Sequence, residues 1–347
     1  MQIYWLILAA VLIIYYPLRK HRNIYVAFSF TLMAIVGALR SNLVGADTAM
    51  YEFIFSNNML VKSNVGYQTF SSLVRSISSD PHTITSVSSI VICILFAIFV
   101  MRIDVNAFLA TFLFITMFFW GTSLNSSRQF LAMGVIVNAA LYLFEKKWIK
   151  AAILAFVAVS IHSTAVILLV LVPIYFLKRN KLSLIIFSGI MLLFIPLHNT
   201  VVNIFVQYFP DYEMYLDGTN TLQTGTAGAG GAILYNFFIF AVFILLIALI
   251  IQKKIPLSRP ELGFTYAFAV YAFLDLLFSN QVILQRVFMY FSMFGIFVLP
   301  MLLVKVSTVS NRSTRLVLNL VFIVFMAFYY YIQLSHDYIN IVPYVLN

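Results

Sequence analysis

The chain has 347 residues, of which 63% are hydrophobic and 9% charged, against about 25% charged in a soluble domain. That composition excludes a water-soluble globular protein and points to a bilayer, where only packed helices or a closed barrel satisfy every backbone N–H and C=O. The net charge of +10 sits at the ends of apolar runs, as expected of helix ends facing cytoplasm and anionic lipid, and not of a nucleic-acid-binding surface.

The apolar runs are about 16 to 27 residues long and lack strict alternation, so helices are expected. The first covers residues 3–18. It has no basic leader and no small-residue cleavage site, so it reads as a retained helix. Arg19, Lys20 and Arg22 follow it, placing that end inside and the N-terminus outside. Residues 24–39 return outward into a long outer segment, 40–83. Within it Tyr67, Phe70, Val74 and Ile77 recur at three- and four-residue steps, which predicts an amphipathic helix on the membrane surface. The run 84–101, holding the single Cys93, ends inside at Arg102. One cysteine supports no disulfide framework. Residues 105–120 go back out, and a short turn, 121–127, leads into 128–144, ended inside by Glu145, Lys146, Lys147 and Lys150.

Residues 151–177 carry basic residues at both ends, which one crossing does not satisfy. Either two half-helices meet near Ser160, His162 and Ser163 in a re-entrant hairpin buried in protein, or one tilted helix breaks the charge rule. The run 182–197 follows. A second outer segment, 198–231, contains FPDYEMYLDG and the glycine-threonine run TGTAGAGG. Then come 232–251, ended by Lys253 and Lys254; 263–278; a tight outer turn at 280–285; and 286–304, ended by Lys305, Arg312 and Arg315. The last run, 316–334, leaves the C-terminus outside. No internal repeat is evident. The expected fold is an all-α polytopic bundle of about 11 membrane segments, one transmembrane domain over residues 1–347, with 40–83 and 198–231 as periplasmic loops.

Of 21 lysines and arginines, five fall on the outer side: Arg40, Lys62, Arg75, Arg128 and Arg286. Lys62 and Arg75 belong to the long loop and face water. The other three stand at helix tips inside polar clusters, RSNLVGAD, LNSSRQ and NQVILQR. Singly, each reads as a side chain snorkelling to headgroups; together they suggest a shared anion site. Arginine binds phosphate through two parallel bonds and keeps its charge at any working pH. The histidines are scattered, no acidic set has metal-ligand spacing, and there is no phosphate-cradling glycine loop. No metal, cofactor or nucleotide is expected.

Four stretches carry a resemblance: RSNLVGADTAMYEFIF, SSRQFLAMGVIVNAALYLFEKK, AFVAVSIHSTAVILL and LQRVFMYF. In order and spacing, from about residue 36 to 295, they resemble the EpsG/Wzy-type polysaccharide polymerases. That family's pattern is an arginine, then V-G-x-D-T and a tyrosine, then R-Q-x-x-A, a histidine among small residues, and a Q-R pair. The chain departs at Ala46, where relatives often carry a different small or polar residue. The resemblance implies a GT-C-like glycosyltransferase of the bacterial inner membrane with its active site facing the periplasm. It implies joining of undecaprenyl-pyrophosphate-linked oligosaccharide units into O-antigen or a similar surface polysaccharide. The implied partners are the lipid-linked donor and acceptor, membrane lipid and a chain-length regulator protein.

In that chemistry the donor sugar leaves with a diphosphate. Such a leaving group needs no general acid but does need fixed positive charge, for which Arg128 and Arg286 come first and Arg40 third. A base takes the acceptor's proton. His162 suits this by its intrinsic pKa, or else is a helix–helix hydrogen bonder. Asp47 is the other base candidate, or it orients Arg40, or it forms a turn with Gly45. Tyr51 stacks on a sugar face or is one more interfacial aromatic. Gln129, Gln285 and Tyr290 are further candidate substrate contacts beside the arginines. Asp275, inside an apolar run, is a functional candidate by default or the partner of Arg286. Asp211 and Tyr215 precede a glycine-rich stretch that reads as a mobile lid or a plain linker. A lipid-linked oligosaccharide flippase or other transporter, and an O-antigen ligase, are the competing readings.

Overall fold

A computed structural model describes residues 1–59, 64–208, 226–279 and 282–347. All regular elements among them are helical. In chain order they are α1 Gln2–Leu18, α2 Arg22–Ala38, α3 Thr48–Ser56, α4 Val65–Ile77, α5 His82–Arg102, α6 Ala107–Thr116, α7 Phe119–Asn125, α8 Ser127–Phe144 and α9 Trp148–Ile161. A 3-10 segment, Ser163–Val170, comes next, followed by α10 Leu171–Phe176, α11 Lys181–Leu193, α12 His198–Tyr208 and α13 Thr226–Gln252. The last four are α14 Arg259–Leu277, α15 Val282–Ser292, α16 Gly295–Val309 and α17 Arg312–His336.

By length and apolar composition, α5, α8, α13 and α17 are able to cross a membrane, four spans that become seven if each of three bent pairs counts as one. Those pairs are α6–α7, bent by 46°, α11–α12, by 79°, and α15–α16, by 48°. The protein is therefore a multi-pass helical membrane protein. Length and composition support fewer spans than the sequence suggests, because α1, α2, α9 and Ser163–Phe176 are apolar but short.

The chain forms two compact units, Met1–Val166 with Leu316–Asn347, and Ile167–Arg315. In the first, α2, α5 and α8 pack side by side. A helix leaves its last carbonyls without internal partners. At the end of α5, Arg22 fills that gap, donating to Met101 O and Val100 O at 2.8 Å each and to Ile103 O. Arg102 pairs with Glu145 at 2.9 Å, and Lys147 holds the same carboxylate at 2.8 Å. The start of α2 and the ends of α5 and α8 thus share one end of the unit, with the basic residues that the sequence places together. Partial burial acts to raise the Glu145 carboxyl. The bonds and charges of Lys147 and Arg102 outweigh it and hold that carboxyl below the usual range. Between the two ends, Phe96, Phe114 and Phe30 knit α5, α6 and α2, with ring centroids 4.9 Å and 5.0 Å apart.

Several expected boundaries shift. The sequence reads 105–120 as one run and 121–127 as a turn. The run instead breaks at Phe118, which takes the left-handed region at φ 67°, and α7 occupies most of the expected turn. Just before the break, Thr116 Oγ1 donates back to Phe112 O at 2.9 Å, a bond that bends helices. The outer segment holds α3 as well as the expected amphipathic α4. The stretch 151–177 breaks at His162, whose extended backbone (φ −147°, ψ 113°) separates α9 from the 3-10 segment. In the second unit, α12 and the start of α13 make both ends of the expected loop 198–231 helical, and α15 begins at Val282, inside the expected turn.

Beyond α17 the C-terminal residues run back across the first unit. Ser41 N donates to Val345 O at 2.8 Å and Asn347 N to Leu39 O at 3.0 Å, closing an antiparallel bridge between Arg40 and Leu346. Gly45 N donates to Asn340 O at 2.7 Å and Ala46 N to Ile339 O at 3.0 Å. The Tyr344 hydroxyl donates to Val36 O at 2.8 Å. This tail clamps the segment 39–46, which carries the first motif of the sequence.

The second unit centres on α14, against which α10, α11, α13, α15 and α16 pack. Phe264 of α14 meets Phe294 and Phe297 at 5.2 Å and 5.0 Å between ring centroids. Arg179 donates to Ile255 O at 2.6 Å, and Arg259 donates to Tyr175 O.

Candidate functional site

The site is built around the chain leaving α2. Arg40 is fully buried. Its Nη1 donates to Gly37 O and, at 2.5 Å, to Ser89 Oγ, while Nη2 donates to Leu124 O at 3.0 Å. Burial lowers the guanidinium to about 10, so it stays charged at neutral pH. Arg40 therefore tethers α2 to α5 and to the end of α7, and presents no Nη donor outward. Gly45 sits at φ +94°, and a Cβ there would lie 2.7 Å from both Leu124 O and Thr48 Oγ1, so only glycine fits. Thr48 Oγ1 donates to Val44 O at 2.7 Å and lies 3.2 Å from Leu124 O. Asp47 N donates to Asn125 Oδ1 at 2.8 Å. The V-G-A-D-T residues thus fasten themselves to the α7–α8 junction, fixing where Arg128 emerges.

Arg128 is the second residue of α8 and is half-buried. Its Cζ lies 5.2 Å from the ring centroid of Tyr51 and 5.5 Å from that of Tyr67. Both rings are buried, and their centroids are 6.3 Å apart. Among the described residues its guanidinium makes no hydrogen bond and no ion pair, and Nε is buried without a partner. Contact with an aromatic face uses the flat side of a guanidinium and leaves its N–H edge for an acceptor. Arg22, Arg40, Arg75, Arg179 and Arg259 instead direct that edge at backbone carbonyls. Ser126, at the N-cap of α8, makes no side-chain cap. The first turn of that helix therefore presents N–H groups and a partial positive charge beside Arg128.

His162 stands at the break after α9, with Thr164 Oγ1 2.8 Å from its Nδ1. Ser163 N donates to Asn64 Oδ1 at 3.3 Å, joining the break to the start of α4, which also carries Tyr67. Gln129 is buried in the first turn of α8. A second polar cluster lies behind Arg40. Glu52 accepts from Thr85 Oγ1 at 2.8 Å and lies 3.2 Å from His82 Nδ1, and His82 Nε2 is 2.9 Å from Ala38 O. Sequence reasoning did not find this cluster, Tyr67's place over Arg128, or the role of Asn125. Asn125 had a signal, lying in the polar string before Arg128. Tyr67 was hidden in an apolar periodicity, where one ring reads like the next.

Arg40, Asp47, Tyr51, Arg128, Gln129 and His162 all belong to the first unit, where Tyr51 meets Arg128. Within the second, Gln285 and Arg286 are half-buried on α15, and Gln285 Nε2 donates to Ser279 O at 3.2 Å. Tyr290 is buried on the same helix. Asp275 is buried on α14 beside Tyr271 and Asn236, and Asn236 Nδ2 approaches its backbone oxygen at 3.4 Å. Asp211 and Tyr215 lie outside the described residues. Compared with protein-family models, residues 23–346 match the EpsG family. No curated protein and no solved structure matches the chain.

Proposed function

The chain belongs to the EpsG family, a Wzy-type polymerase-like family, and from that premise we propose a glycosyltransferase acting at the periplasmic face of the bacterial inner membrane. It joins undecaprenyl-pyrophosphate-linked oligosaccharide repeat units into a surface polysaccharide. Family membership supports the polysaccharide polymerase-like role. The diphosphate chemistry is carried by one observation, a half-buried arginine held by two ring faces with no carboxylate on its N–H edge among the described residues.

In the transfer, an acceptor hydroxyl oxygen bonds to the anomeric carbon as the bond from that carbon to the diphosphate oxygen breaks. The electron pair leaves with the diphosphate, and Arg128, with the first turn of α8, stabilises the growing charge. The hydroxyl proton goes to His162 or Asp47. If His162 receives it on Nε2, its Nδ1 must carry hydrogen, and Thr164 Oγ1, 2.8 Å away, then accepts from it. Tyr51 belongs to the arginine cage, and Gln129 extends the polar edge beside it. In this reading Arg40 has a structural role, and the shorter apolar helices join the longer ones in about eleven segments of a GT-C-like arrangement.

The test is reconstitution of the purified chain in vesicles with purified lipid-linked repeat units. Polymer formation supports the reading, and Arg128→Ala abolishes it, leaving single-unit glycan in cells. Transfer to lipid A core identifies a ligase instead, and translocation without new glycosidic bonds a flippase.

A further inference from the structure

Three residues within one turn, Asn64, Gly66 and Tyr67, connect the two halves of the site. Tyr67, buried, lies over the Arg128 guanidinium at 5.5 Å. One residue earlier, Gly66 is pressed on α9 so closely that a Cβ would lie 2.2 Å from Ser160 Oγ and 2.8 Å from the backbone carbon of Ser160. At the head of the same turn, Asn64 occupies the N-cap of α4 yet makes no side-chain cap bond. Asparagine at this position ordinarily caps the helix it begins. Here its Oδ1 accepts from Ser163 N at 3.3 Å, the first amide beyond the break at His162. The sequence singles out α4 only as an amphipathic surface helix, and Tyr67 only as one of its apolar positions.

We infer that the first turn of α4, residues 64–67, is a positioning element that holds the Arg128 guanidinium and the His162 break in fixed relation to one another. The inference rests on Arg128 being the diphosphate ligand. Each contact acts on a different partner. Asn64 holds the backbone beside His162, Gly66 sets the distance of α4 from α9, and Tyr67 supplies a ring face that steadies the guanidinium without occupying its N–H edge. A change at Tyr67 should therefore act on anion affinity, because it loosens Arg128. A change at Gly66 should act on turnover, because it displaces the turn that ties Arg128 to the base while the ring remains present.

The experiment compares wild type with Tyr67→Phe, Tyr67→Leu, Gly66→Ala and Asn64→Ala as purified full-length chains. It measures affinity for inorganic pyrophosphate by calorimetry, and kcat and KM for polymer formation from lipid-linked units. Tyr67→Phe keeps the ring and should match wild type. Tyr67→Leu should weaken pyrophosphate binding by about fivefold to tenfold, the scale of one cation–ring contact, and raise KM. Gly66→Ala should lower kcat by at least about tenfold with pyrophosphate affinity little changed, since small misplacements of catalytic groups carry penalties of that order. Asn64→Ala should follow Gly66→Ala in the same direction. If wild type binds pyrophosphate and all four variants behave like it in both assays, the inference falls alone. Equal loss in Tyr67→Phe and Tyr67→Leu also overturns it, since the hydroxyl and not the ring face would then matter. Failure of wild type itself to bind pyrophosphate overturns both the inference and the anion site beneath it.

Discussion

Arg40→Ala is the perturbation that separates a structural arginine from a catalytic one. The substitution removes three bonds from a charged donor, to Gly37 O, Ser89 Oγ and Leu124 O. Bonds to charged groups contribute about 1.5–3 kcal/mol each, but the sum overstates the loss. Gly37 O still accepts from Ser89 Oγ at 3.1 Å, and Leu124 O keeps Thr48 Oγ1 at 3.2 Å. Removing a buried charge whose Nε has no partner also recovers some desolvation. Against that, an arginine-sized void opens where α2, α5 and α7 meet. The net destabilisation is about 3–5 kcal/mol, which lowers the unfolding midpoint by roughly 10 °C at about 2–4 °C per kcal/mol. Thermal unfolding in detergent, followed by tryptophan fluorescence, reads this directly, with Arg128→Ala as the parallel sample expected to unfold close to wild type. An Arg40→Ala protein that unfolds with wild type yet makes no polymer would refute the reasoning, because Arg40 would then be meeting substrate.

Three further outcomes follow. Arg128→Lys keeps the charge but loses the flat face and the paired donors, so polymer formation should fall at least about tenfold with the unfolding midpoint unchanged; wild-type activity would contradict the edge-on anion site. Gly45→Ala places a Cβ 2.7 Å from Leu124 O at φ +94°, costing about 2–4 kcal/mol in combined backbone strain and displacement, so a midpoint within 2 °C of wild type (about 1 kcal/mol or less) would show that the loop yields freely. Glu145 has its pKa depressed by Lys147 and Arg102 against the pull of burial. The stability it contributes is therefore present above the ordinary glutamate value of about 4.3 and lost as pH falls below it. The midpoint difference between wild type and Glu145→Gln should be visible at pH 7 and vanish on acidification, and a difference that persists at low pH would remove the ion pair as its source.

The sequence was most legible where charge and periodicity act locally. Arg22, Arg102 and Lys147 mark helix ends by composition, and they do gather at one end of the first unit. The spacing of Tyr67, Phe70 and Val74 announced α4 because a helical stripe repeats within a few residues. The break at His162 was readable as one of two alternatives, from basic residues flanking too long a run. The C-terminal clamp on residues 39–46 was not legible. It is made of backbone groups that any residues supply, joining positions about 300 apart, and no side-chain pattern records such a pairing. The bend at Phe118 escaped for a different reason. The residues around it are uniformly apolar, and in a bilayer that uniformity favours neither a straight helix nor a broken one.

The charge rule sets Arg40, Arg128 and Arg286 apart as arginines expected on the outer side but does not distinguish them from one another, and the groups each guanidinium meets do. Arg22, Arg40, Arg75 and Arg259 reach the C-terminal ends of helices, where unpaired carbonyls and a partial negative charge await a cation, and Arg179 reaches Ile255 O in the connection after α13. Each is absorbed by the fold at the place where it stands. Arg128 is at the opposite kind of end. The start of α8 is itself partly positive, and among the described residues the guanidinium donates to no carbonyl. Two tyrosine faces hold it there without neutralising it. Arg22 and Arg259 also open helices, α2 and α14, but reach carbonyls at the ends of neighbouring helices, so what sets Arg128 apart is the acceptor it lacks among the described residues, and not the helix start alone. The proposal that Arg128 meets an anion rests on that contrast, and a carbonyl or carboxylate found on its N–H edge would remove it.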